Sequence, residues 1–115
     1  MRRLVLTMTE LHERVCLPCQ GGAPTLTAAE IDRLLAQVES WSVVDRHHLE
    51  KAWTFPDFVT ALTFVNRIGS IAEEQGHHPE ILLAWGKVLV RIWTYKVDGL
   101  TESDFTLAAR FDRAS

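Results

Sequence analysis

The sequence has no long apolar run. No stretch approaches the roughly 20 residues that a membrane-crossing helix needs. The opening Met1-Arg2-Arg3-Leu4-Val5-Leu6-Thr7 has two positive charges but only three consecutive apolar residues, too few for a signal peptide. These absences point to the cytosol and away from a membrane. Basic residues are not in excess either: the net charge is -3. A general nucleic-acid binder needs a basic face to displace counterions, so that class is set aside. Cysteine is scarce, with Cys16 and Cys19 in Cys-Leu-Pro-Cys as the two copies. A redox pair wants its first cysteine at a helix N-terminus, whereas Gln20-Gly21-Gly22-Ala23-Pro24 follows here. A zinc site wants four ligands, and there is no second Cys-x-x-Cys. The pair reads as reduced thiols in a loop, and no metal is expected. Internal repeats and low-complexity tracts are also missing.

The chain has 115 residues, enough for one domain with a real core. Residues 1–24 lack sustained periodicity and read as an N-terminal arm, which leaves 25–115 as the folded domain. Thr27 and Glu30 fit a capping box. Ile31, Leu34, Leu35 and Val38 then share one helical face, which predicts a helix over about 27 to 38. Residues 41–55 are β-favouring around the polar Asp45-Arg46-His47-His48 and read as a hairpin. The facing of its second strand is open, because Lys51, Trp53 and Phe55 share a parity. Pro56 suits the first turn of a helix. Phe58, Leu62, Val65, Ile68 and Ala72 recur at spacings of three and four, which predicts a long helix over about 57 to 75. Gly76 suits the left-handed residue that closes it.

Two more strands are expected, over roughly 80–84 and 87–95, with Trp85-Gly86 at their turn. In the second of them Val88, Val90, Ile92 and Thr94 form one face, and Leu89, Arg91, Trp93 and Tyr95 the other. Apolar bulk on both faces suggests that a partner subunit covers the face left free by the helices. Thr101 and Asp104 look like an N-cap pair, ahead of a last helix with Leu107, Ala108 and Phe111 on its inner stripe. The order helix, hairpin, helix, hairpin, helix is an α+β architecture: a four-stranded antiparallel sheet with three helices packed on one face.

Chemistry concentrates in Glu73-Glu74-Gln75-Gly76-His77-His78-Pro79-Glu80. Two histidines stand just past a helix end, and imidazole is the side chain that ordinarily exchanges a proton near neutral pH. Neighbours leaving a helix for a strand point apart, so the two rings need not share a job. Glu73, four residues before His77, is placed to orient it. A polar loop whose histidines only cap carbonyls is the ordinary reading of such a pair, and the residues alone leave it open. His47-His48 is a second adjacent pair, in a charged turn with no helix end beside it, and reads as solvated.

The combination resembles the pterin-4a-carbinolamine dehydratase family. The resemblance rests on Glu73-x-x-x-His77-His78-Pro79, Trp85 six residues on, and Gly99-Leu100-Thr101-Glu102-x-Asp104-Phe105. It extends to Leu26-Thr27-Ala28-Ala29-Glu30-Ile31 and to the long middle helix, over about residues 25 to 112. The Cys-Leu-Pro-Cys-Gln-Gly-Gly-Ala-Pro arm is similar to an N-terminal segment of a bacterial and plastid branch. The resemblance implies a homodimer or homotetramer and a reaction in which a 4a-hydroxytetrahydropterin loses water to give a quinonoid dihydropterin. It implies His77 and His78 as the catalytic pair, without metal or redox cofactor. Glu73, Pro79, Trp93, Thr94, Tyr95 and Asp104 are the expected substrate-binding residues, and His77, His78, Glu73, Tyr95 and Trp93 or Thr94 are expected to line one concave pocket, with His47 and His48 elsewhere. Tyr95 stands where the family usually has a third histidine, and a phenol is a poor base at neutral pH. The alternative that the resemblance implies is a non-catalytic assembly factor for RuBisCO.

Overall fold

The computed structural model describes residues 25–115. The arm read over 1–24, with Cys16 and Cys19, lies outside the described residues. The elements are α1 (Ala28–Leu35), β1 (Ser42–Val44), β2 (His48–Thr54), α2 (Phe58–Gln75), β3 (Glu80–Ala84), β4 (Lys87–Ile92), a 3-10 turn (Tyr95–Val97) and α3 (Glu102–Ala114). The four strands form one antiparallel sheet in the order β1-β2-β4-β3. This is the expected α+β fold. Among the described residues no helix is long and apolar enough to cross a membrane.

Local chemistry explains most boundaries. Thr27 caps α1 through the full capping box: the Glu30 amide donates to its hydroxyl and the Glu30 carboxylate accepts from its amide. The helix is shorter than its apolar spacing suggests, ending at Leu35, and residues 36–38 continue as looser turns. At α2 the cap is Asp57, whose Oδ1 accepts from the Thr60 amide at 2.8 Å and the Thr60 hydroxyl at 2.6 Å. Pro56 therefore precedes the cap and is not in the first turn as expected. An aspartate satisfies an orphan helix donor, which proline cannot do. Gly76 ends α2 at φ 66°, and its amide donates to the last-turn carbonyls of Ala72 and Glu73.

The core fills the space between the sheet and the helices. Leu49, Val88, Val90 and Ile92 from the sheet meet Ala61, Phe64, Ile68 and Ala72 of α2 and Phe105, Leu107, Ala108 and Phe111 of α3, all buried. The parity of β2 is settled by Lys51, which faces the helices. Its ammonium donates to Asp112 Oδ1 at 2.7 Å and to the Glu39 carbonyl at 2.6 Å. It also lies 4.9 Å from the Trp53 ring centroid, a cation–π distance.

β4 stops at Ile92, short of the expected residue 95. The register Glu80↔Arg91 puts Pro79 beside the next position, and proline has no N–H for the ladder. Thr94 pairs instead with Gly99, closing a short loop around the 3-10 turn.

Candidate active site

The register fixes which loops meet. β2 pairs Leu49 with Ile92, and β3 pairs Glu80 with Arg91. The starts of β2 and β3 therefore flank the end of β4. His47-His48, His77-His78-Pro79 and Trp93-Thr94-Tyr95 all gather at this end of the sheet.

His77 turns inward. Its Nε2 donates to Asp104 Oδ1 at 2.6 Å, and the side chains are 15% and 0% exposed. Asp104 Oδ2 accepts from the Thr94 hydroxyl at 2.9 Å and the Thr101 amide at 2.8 Å. One buried carboxylate thus starts α3, holds the end of β4 and fixes an imidazole. Burial of a carboxylate is tolerable because it is so fully hydrogen-bonded. A carboxylate only accepts, so His77 carries its proton on Nε2 and Nδ1 is the nitrogen that can take or give another.

His78 turns outward. Its Nε2 meets Glu73 Oε1 at 2.9 Å, and both side chains are largely exposed. Glu73 was expected to orient His77 and instead holds His78. Gly76 turns the chain out of the helix, after which His77 is largely buried and His78 exposed. Glu73 also borders a groove of about 600 Å³ between α2 and β3, with Val65, Gly69, Ser70 and Ile81. Pro79, half-buried, links His78 to β3.

Trp93 and Tyr95 stand apart from Thr94, which points to the helices. Their rings meet edge to face, with centroids 5.0 Å apart, and Tyr95 is exposed. His47 and His48, expected to be solvated, are half-buried against Trp93. Their centroids lie 5.2 and 5.8 Å from that of Trp93. His47 Nε2 meets Asp98 Oδ1 at 2.7 Å, and the two Nδ1 atoms are 3.1 Å apart. Sequence reasoning missed this cluster and Asp98 with it. No local pattern pointed to it; the structure shows Asp45, Arg46 and Asp98 in left-handed φ, which non-glycine residues adopt infrequently.

The family profile described as "Pterin 4 alpha carbinolamine dehydratase" matches residues 24–114. The chain belongs to the pterin-4a-carbinolamine dehydratase family. A relative from Rubrobacter xylanophilus that carries a pterin-4-alpha-carbinolamine dehydratase name is 52% identical, covering 92% of this chain and 99% of its own. The solved transcriptional coactivator/pterin dehydratase from Brucella melitensis has TM-score 0.75 and 32% identity, over 79% of this chain and 98% of that one. A pterin dehydratase-like protein solved as a RuBisCO assembly factor of the alpha-carboxysome has TM-score 0.58 and 24% identity, over 66% of this chain and 89% of that one. That last likeness carries the dehydratase fold alone.

Proposed function

We propose that this dehydratase-family chain removes water from a 4a-hydroxytetrahydropterin, with His77 and His78 exchanging the protons. One imidazole takes the N5 proton while the other, protonated, gives a proton to the 4a-hydroxyl. The C4a–O bond breaks, the N5–C4a double bond forms, and water leaves with the quinonoid dihydropterin. The observation that carries the reading is the His77–Asp104 pair, an imidazole held by a buried, fully bonded carboxylate with its second nitrogen left for exchange. Asp104 is shielded from ligand and acts through His77. Trp93 and Tyr95 are the proposed pterin wall, Thr94 is buried with Asp104 and supports that carboxylate, and Glu73 and Pro79 set His78. No metal or redox cofactor enters the proposed chemistry.

Tyr95 supports a second reading. A phenol at this position stacks and hydrogen-bonds but does not serve as a base near neutrality, which suits a non-catalytic assembly module for RuBisCO. Turnover of a 4a-hydroxytetrahydropterin by the wild type and Tyr95→His separates the two. Rates above the uncatalysed background support the enzyme. Background rates for both would assign the protein to assembly.

The proposed working form is a dimer or tetramer in the cytosol. Its motive is the outer surface of β3 and β4, where Leu82 and the turn residue Trp85 are 52% and 72% exposed beside a groove of about 370 Å³. A second copy of the chain is the proposed cover. Light scattering at micromolar concentration should give twice the chain mass or more, and a monomer would refute this.

A further inference from the structure

All four histidines among the described residues gather at one end of the sheet, and three of them meet a carboxylate within 2.9 Å. The dehydration described above uses two. The other two form a chain with a fixed direction. Asp98 only accepts, so His47 donates from Nε2 and its Nδ1 is bare in the neutral ring. That nitrogen accepts from His48 Nδ1, 3.1 Å away. His48 is thereby held in the tautomer that leaves Nε2 as its proton-exchanging atom. The same logic leaves Nδ1 on His77.

The chain is costly to build. Asp98 takes a left-handed backbone (φ 52°, ψ 49°) at the end of the 3-10 turn, and Asp45 and Arg46 do so in the turn before His47. Both rings also pack on Trp93, while His47 keeps about a third of its side chain exposed (32%). A strained, half-open imidazole chain against an indole is an odd arrangement for a turn that only reverses the backbone.

We propose that His48 is a further acid–base residue for the dehydration, with His47 and Asp98 as positioning residues and Trp93 as the surface on which the bicyclic ring lies. This rests on the pterin reading. A ligand laid across the end of β4 meets an imidazole from the helix side, His77, and one from the opposite side, His48. The proton taken from N5 and the proton given to the 4a-hydroxyl can then be handled on different sides of the ring, with no net change in the protein's protons per turnover.

The test follows the histidine ring resonances of the full chain during titration with 7,8-dihydrobiopterin, assigned by single His→Gln variants. The expected result is that the rings of both His77 and His48 shift. Movement of His77 and His78 with His48 unmoved would overturn the inference and leave the pterin reading standing. No movement in any ring would remove the pterin reading and this inference together. In turnover, His48→Gln should lower kcat about 100-fold, the size of a typical acid–base contribution. Asp98→Asn should lower kcat by a smaller factor with KM within about twofold, and Asp98→Glu should recover part of the loss. An unchanged kcat in His48→Gln would overturn the assignment.

Discussion

The chain contains the dipeptide His-His twice, and the two copies behave in opposite ways. His77 and His78 point apart, each to its own carboxylate, one buried and one exposed. His47 and His48 turn toward each other, and of the two it is His47 that meets a carboxylate, Asp98. The residues are the same, so the difference lies in the backbone. Gly76 releases the first pair into extended geometry, whose neighbours face opposite ways. The second pair leaves a turn of left-handed residues that brings the rings together. The partner of a histidine is set by the conformation delivering it, not by the adjacent residue.

The sharpest way to break that comparison is to remove the carboxylates in turn. Asp104→Ala takes the acceptor from the Thr101 amide and from His77 Nε2, at roughly 1–3 kcal/mol each, while the Thr94 hydroxyl keeps the Thr101 hydroxyl at 3.0 Å. Urea denaturation should show a loss of about 2–6 kcal/mol. Glu73→Ala breaks an exposed contact and should cost under about 1 kcal/mol in the same experiment. Equal losses would mean that burial does not separate the two partners.

A smaller effect is expected at the backbone. Gly76→Ala puts a Cβ on a left-handed residue with no atom within 4 Å of it, so its cost of about 1 kcal/mol is conformational, not steric. If thermal melts show no loss, Gly76 is not what splits the first pair. Tyr95→His places an imidazole beside Trp93, and turnover should rise about tenfold or more. A fall would mean that the phenol is itself used.

The smallest effect is at the helix caps. The Thr27 amide, then its hydroxyl, hold Glu30 below the ordinary carboxylate range, and the Thr60 hydroxyl, then its amide, do the same for Asp57. Their folded values lie below the unfolded ones. Their contribution is therefore full above the ordinary range and is lost as pH falls through the folded values. Glu30→Gln should flatten the acid side of a melting-temperature profile slightly, and an unchanged slope would place the pH dependence elsewhere.

Much of this was legible in local pattern. The period of α2, the Thr27–Glu30 box, Gly76 and the Thr101–Asp104 pair each follow from neighbours within four residues. What was not legible depends on who sits beside whom in the sheet. Lys51 faces inward because Asp112, far along the chain in α3, waits for it. His48 meets Trp93 because β2 lies next to β4, a choice made by the whole sheet and not by the hairpin. Asp98 was invisible for the same reason: its partner comes from another loop.

The central claim is that His77, pinned by Asp104, is a proton-exchanging residue of a dehydratase. The direct measurement is turnover of a 4a-hydroxytetrahydropterin by wild type and His77→Ala, with dihydrobiopterin affinity measured on both. The account predicts a fall in kcat of about 100-fold or more with affinity within a few-fold. Equal turnover in the two proteins, both above background, would contradict it.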